Sequence, residues 1–411
     1  MGWKKVKLGD LYTVHNGLSK GRKFFGSGYP FLSFSTVFNN YFIPTELSDL
    51  VQSDEKEQKN YSICRGDVFV TRTSETSDEL GMSCVALKDY PTATYNGFTK
   101  RMRPIENDIV LPEYIGYYMR MPSFRGEFQA FSKMTTRASL KNEDLLGLAI
   151  MLPPMAKQEK IAHILRNYDY LIENNGKQIK LLEEAAQRLY KEWFVDLRFP
   201  GYENVEVIDG IPEGWGCVTL GDVIEKITTG LNPRKNFVLG SGRNYYVTIK
   251  NMGNNNIFLD EKCDKIDDEA LEKINKRSDL QVGDILFSGI GTMGSVYLVS
   301  IPTNNWNVSE SIFTLRASEK ITKELLYLTL LSPAMQSYCD NHAHGVAQRG
   351  IRMADLKSYP FILPSKDIMM LFTKNVGKLI EKTQNLRKQN GLLLEARDRL
   401  LPKLMSGEIE V

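Results

Sequence analysis

The chain has 411 residues, too many for one ordinary domain and enough for two or three. Hydrophobic residues at 42% and charged residues at 25% allow packed cores and exclude global disorder, while 52 basic against 50 acidic side chains exclude nucleic-acid binding by bulk charge alone. Five scattered cysteines with no Cys-x-x-Cys argue against a disulfide framework or zinc ribbon and fit a reducing compartment. The start MGWKKVKLGD has no apolar core of a signal peptide, and the longest apolar stretch, Leu145 to Leu152, is far short of the roughly 20 residues that span a bilayer.

Read in chain order, the sequence repeats itself. Val6-Lys7-Leu8-Gly9-Asp10-Leu11 returns as Val218-Thr219-Leu220-Gly221-Asp222-Val223, and Asn16-Gly17-Leu18 as Thr229-Gly230-Leu231. Arg65-Gly66-Asp67-Val68 returns as Val282-Gly283-Asp284-Ile285, and Leu152-Pro153-Pro154 as Leu363-Pro364-Ser365. Four landmarks in one order at nearly one offset mark two halves. Each opens with short β-rich runs broken by Gly, Asn and Ser, such as Asp67-Val68-Phe69-Val70 and Tyr246-Val247-Thr248-Ile249.

A proline boundary then leads into a long helical pattern. Ile161, Ile164, Tyr168, Leu171, Leu182, Ala185 and Leu189 keep a 3/4 spacing, with Asn175 and Gln178 as polar interruptions. So do Phe372, Val376, Leu379, Thr383, Leu386, Asn390, Leu393, Arg397, Leu400 and Leu404. Each pattern spans about 40 residues, or roughly 60 Å of helix, and its period predicts a coiled coil. Antiparallel pairing would relate the halves by an approximate two-fold axis. The segment 199–215, rich in acids and breakers, reads as the linker between them.

Catalytic signals fail on context. Gly289-Ile290-Gly291-Thr292-Met293-Gly294 matches a dinucleotide fingerprint, but the β-like Val296-Tyr297-Leu298-Val299 follows where a helix is required; a glycine-rich hairpin is the better reading. Cys339, His342 and His344 have no second cluster to close a metal site, and His15 and His163 stand alone. Walker A, His-Glu-x-x-His and Gly-x-Ser-x-Gly sequences are absent, and Asn232-Pro233-Arg234 does not make the Asn-Pro-Pro-aromatic of amino-methylating enzymes. A large chain without a catalytic constellation points to recognition or scaffolding.

Residues 1–150 carry 19 basic and 17 acidic side chains, residues 201–365 carry 16 and 20, so nucleic-acid affinity must come from local groups. Candidates recur at matching places: Lys20, Arg22 and Lys23 against Arg234 and Lys235; Arg72 and Thr73 against Ser288; and Lys133, Thr135, Thr136 and Arg137 against Gln348 and Arg349. These residue types hold phosphates and read base edges. Trp193, Phe194 and Leu197, at the end of the first helix, are candidates for an apolar partner-docking face.

The stretches LPPMAKQEKIAHIL (152–165), QRLYKEWFVDLRFPG (187–201) and RLLPKLMSGE (399–408) resemble the conserved regions of specificity (S) subunits of type I restriction–modification enzymes. The likeness covers the whole chain in that family's order; only Leu363-Pro364-Ser365-Lys366-Asp367 departs from the usual helix start. It implies an α+β fold: two mixed α/β target-recognition domains, at 1–152 and 216–364, separated by two long helices in an antiparallel coiled coil. The helical regions would be 153–198 and 365–411, with the linker at 199–215. It further implies a non-catalytic reader of a bipartite, asymmetric double-stranded DNA target in a bacterial or archaeal cytoplasm. The helices would fix the unread spacer and dock two methylation subunits. No cofactor is expected on this chain; S-adenosylmethionine, ATP and Mg belong to the methylation and restriction subunits. Related alternatives are the S subunit of a two-subunit system with a fused methylase–nuclease, and a duplicated protein-binding scaffold.

Overall fold

A computed structural model describes the chain except for Met1, residues 75–78, 133–137, Thr292 and 346–348, and the side chains of residues 74, 129–132 and 138–139. The chain divides into two compact units, residues 1–174 with 389–411, and residues 175–388.

In the first unit, Lys4–Lys7 pairs antiparallel with Ala149–Leu152, so the strand that opens the globule lies beside the one that closes it. Between them is a four-stranded antiparallel sheet in the order Tyr12–Asn16, Thr99–Pro104, Val68–Thr71, Ser83–Val85. A three-stranded sheet follows the order Leu50–Val51, Phe25–Leu32, Thr94–Tyr95, the first pair antiparallel and the second parallel.

The second unit repeats each element. Gly216–Thr219 pairs antiparallel with Pro360–Leu363. Its four-stranded sheet runs Ile224–Thr229, Ile312–Ala317, Ile285–Ser288, Val296–Leu298. Its three-stranded sheet runs Asp264–Ile266, Asn244–Val247, Trp306–Val308, again antiparallel then parallel. The glycine-rich segment after Ser288 thus joins two antiparallel strands, as its context predicts.

The repeated Gly-Asp landmarks have one physical cause. Gly66 and Gly283 sit at φ +88° and +99°, where a Cβ is strained, and turn the chain so that Asp67 and Asp284 point inward. Each carboxylate accepts the backbone N–H three residues upstream, Cys64 or Gln281, at 2.8 Å. Each also takes a guanidinium fork from the neighbouring strand. Arg103 reaches Asp67 at 2.8 and 2.6 Å, and Arg316 reaches Asp284 at 2.7 and 2.9 Å. Both aspartates are buried, so the fork supplies the partner that a buried charge needs.

The long helices are Met155–Phe194 and Lys366–Ser406. In the first unit Asp169 pairs with Arg397 at 2.7 Å, and Asn390 donates to the Ile172 carbonyl at 3.3 Å, so rising numbers on one helix meet falling numbers on the other. In the second unit Glu183 pairs with Arg387, and Phe194 meets Phe372 at 4.7 Å between ring centres, in the same antiparallel sense. On the second helix every residue of the predicted seam is buried or half-buried. On the first, Leu171 and Ala185 are exposed and Ile172 and Ala186 are covered instead. An α-helix advances 3.6 residues per turn, so a strict 3.5 pattern drifts around it.

The helix starts differ. Gln158, almost fully buried, accepts from the Leu111 N–H at 2.8 Å and donates to the Ile109 and Pro153 carbonyls at 3.1 and 3.0 Å. The matching residue of the second helix is Met369, buried in the apolar core of its unit. Two residues past Ser365-Lys366-Asp367, an apolar contact thus stands where the first helix has the glutamine's hydrogen bonds. Among the described residues no helix is long and apolar enough to cross a membrane.

Candidate nucleic-acid interface

In both units the end of the central strand is held by a segment far along the chain. The Leu140 N–H donates to the Arg72 carbonyl at 2.9 Å; at the matching place the Ile351 N–H donates to the Gly289 carbonyl at 2.8 Å. The Gly291 N–H further donates to the Arg349 carbonyl at 3.0 Å. Two candidate regions, well separated in sequence, therefore meet once in each unit. Lys133, Thr135, Thr136, Arg137 and Gln348 lie outside the described residues.

The remaining candidates divide by exposure. Arg22, Lys23, Arg234, Lys235 and Arg349 are exposed. Arg234 and Lys235 ride on a short turn capped by Asn232, whose side-chain oxygen accepts the Arg234 N–H at 2.9 Å. Asn232 also donates to Glu310 at 2.7 Å, which gives Asn232-Pro233-Arg234 a structural role. The Arg349 guanidinium donates to the Asp340 carbonyl at 2.8 Å. Arg72 and Thr73 are half-buried at the end of the central strand.

Three expectations are corrected. Lys20 is engaged within the fold: its ammonium lies 2.6 Å from both Glu57 and the Gln52 carbonyl. Ser288 is fully buried, and its hydroxyl accepts the Ser295 N–H at 2.9 Å inside the hairpin. Trp193 and Phe194 are core residues, not an exposed docking face. Trp193 meets Phe372 at 5.5 Å, and Phe194 meets Phe372 and Trp215 at 4.7 and 5.9 Å. Residues 199–215 fold back over the helix end, with Phe199 against Trp215 at 4.7 Å. Leu197, at φ +56°, makes the reversal and is half-buried.

No local pattern singles out Lys100. It stands on Thr99–Pro104 between Val70 and Asn16, only 5% exposed, and donates to the Asn142 side-chain oxygen. Burial, and after it the nearby Arg72 charge, lower its pKa, while Asp144 opposes them. Arg72, Lys100, Asn16, Lys141, Asn142 and Glu143 line an open cleft of about 440 Å³. Among the described residues no group of three or more His, Cys, Asp or Glu side chains could hold a metal ion.

The frame is thus built twice, and the side chains at the end of its central strand differ between the two copies. The model of the type I restriction modification DNA specificity domain matches this chain twice, over residues 1–184 and 212–391, and the chain belongs to that family. It is similar to the type I restriction enzyme MjaIX specificity subunit of Methanocaldococcus jannaschii, 26% identical over all of this chain and 94% of that one. It is also similar to the HindI specificity subunit of Haemophilus influenzae, 26% identical over 99% of each. The crystal structure of a type I restriction–modification S subunit from M. genitalium shares the fold, with a TM-score of 0.54 at 14% identity over 98% of this chain and 96% of that one. The chain is thus a non-catalytic subunit that confers DNA sequence specificity.

Proposed function

We propose that residues 1–152 and 216–364 each read one half of a bipartite, asymmetric double-stranded DNA sequence through the major groove. The helical regions 153–198 and 365–411 set the unread spacer and dock two methylation subunits, and 199–215 joins the halves. The methylation subunits bind S-adenosylmethionine and methylate adenine; restriction subunits supply the ATP- and Mg-dependent steps; the assembly works in the cytoplasm. The observation that carries this reading is one sheet frame built twice, with the same strand order and buried Arg–Asp fork, in a chain matched twice by the specificity-domain model.

Exchange of residues 1–152 for the corresponding domain of another family member tests it. Mapping of methylated sites made by the assembled complex is expected to show one half of the motif changed and the other kept; a change in both halves would overturn independent reading. Four residues added near Asn175 and four near Asn390 lengthen each helix by about 6 Å. At about 3.4 Å per base pair the unread spacer should grow by about two. An unchanged spacer with retained methylation would show that the helices do not set it.

A further inference from the structure

The two units differ most sharply at one place. Strand registers make Lys100 the counterpart of Phe313, since Val70 faces Lys100 as Phe287 faces Phe313. The paired backbone hydrogen bonds make Arg72 the counterpart of Gly289. In the second unit the position is filled by carbon: a Cβ on Gly289 would meet the Phe313 ring at 2.5 Å. In the first unit it holds two cations. Lys100 is buried, the Arg72 Nε is buried without a hydrogen-bond partner, and neither side chain has an ion pair among the described residues. Glu143 lines the cleft and Asp144 offsets part of the Lys100 charge from nearby, but neither pairs with the two cations, and Lys141 lines the cleft too.

Burying a cation with no carboxylate paired to it costs stability, and placing two cations side by side costs more. Folded proteins keep such an arrangement where a ligand supplies the missing charge. The cleft is open, so that ligand comes from outside, and it must present oxygen or nitrogen acceptors to an ammonium and a guanidinium.

We propose that Arg72 and Lys100 together receive an electronegative group of the DNA, a backbone phosphate or the acceptor edge of a guanine, and that the second recognition domain has no equivalent anchor. The proposal rests on the DNA-reading function above. It makes the two half-sites unequal: the first is gripped partly by buried charge, the second by other contacts.

The test uses the complete complex with its methylation subunits, a duplex carrying the mapped target, and the variants Arg72→Met and Lys100→Met. Affinity is measured across a salt series, and thermal unfolding of each variant is recorded. Each substitution is expected to weaken binding by about 5- to 150-fold, the range for removing one bidentate pairing with a base. If the partner is a phosphate, all duplexes weaken alike and the log–log salt slope falls by about 0.9 for each phosphate no longer neutralised. If it is a guanine edge, discrimination falls at one position of the first half-site and is kept throughout the second. Either result supports the anchor. The melting temperature of Lys100→Met should equal or exceed that of the unsubstituted chain, because an unpaired buried charge has gone. Lys100→Arg should retain the salt slope. Wild-type affinity in both methionine variants, or binding loss that tracks a lowered melting temperature with an unchanged slope, would overturn the proposal. If the unsubstituted complex does not distinguish its target from other duplexes, it is the DNA-reading function that fails.

Discussion

The first and second units are built on one frame and finished differently. The pieces they share are those that backbone geometry demands: the left-handed glycine, the buried aspartate, the arginine fork and the strand pair that closes each globule. The pieces that differ lie at the end of the central strand, where one unit buries a lysine beside a half-buried arginine and the other an aromatic ring. A frame that tolerates such opposite chemistry at a single position is decoupled from what that position does. This is the property a family needs if it is to read many sequences with one fold.

The strongest way to break the comparison is to remove the fork from each unit in turn. Asp67→Ala and Asp284→Ala each leave an arginine with its buried partner gone, and each should destabilise its own unit by about 3–5 kcal/mol. Denaturant unfolding followed by a probe in each unit would measure both. Losses differing by more than about 2 kcal/mol would mean that the two forks do not hold equivalent loads. A smaller effect is expected at the helix starts, where Gln158 and Met369 solve one packing problem in two ways. Gln158→Met strands the Leu111 N–H and two carbonyls and should cost about 1–3 kcal/mol. Met369→Gln buries an amide among apolar neighbours and should cost a similar amount. If either exchange is neutral, the two sites are more alike than their hydrogen bonds indicate.

The smallest effect concerns thiols. Burial raises the pKa of Cys84 to about 12 in the first unit, and in the second raises Cys263 to about 11 and Cys339 to about 12. A raised folded pKa means that the neutral thiol is favoured in the fold. Its contribution is complete below the unfolded value of about 8.5 and is lost as pH rises through 11 to 12. Thiol labelling of the folded chain should therefore modify exposed Cys217 first near pH 8 and leave the three buried thiols untouched. Fast modification of Cys84 or Cys339 at that pH would show that its unit opens locally.

The frame is legible in the sequence because its landmarks are backbone requirements. A glycine at positive φ and an aspartate that caps its own turn cannot be exchanged without strain, so both copies keep them. The helical seam is legible for a similar reason, apart from Leu171 and Ala185, where a 3.5-residue reading outruns a 3.6-residue helix. The site is legible only in outline. Sequence pattern singles out the two segments that meet in each unit, but four of the candidate residues, Lys20, Ser288, Trp193 and Phe194, are engaged by packing that no local pattern announces. Lys20 finds Glu57, Ser288 finds Ser295 within its hairpin, and Trp193 finds Phe372 on the second long helix. Lys100 escapes for the opposite reason. In a strand reading TKRMRP, alternation assigns faces, but nothing local says that a lysine will be sealed in beside an arginine.

The first unit is assembled from both ends of the chain. Leu401, Leu404 and Met405 pack in the same core as Leu8, Ile161 and Leu165, while residues 175–388 form the other unit from one uninterrupted stretch. During synthesis the interrupted unit is begun first and completed last, since its final core residues emerge after the whole of its neighbour. Until then the apolar face of the first helix around Ile161 and Leu165 lacks its cover, and closure must wait on a loop of more than 200 residues. The core of the first unit can therefore be completed only after the whole of the second has been synthesised.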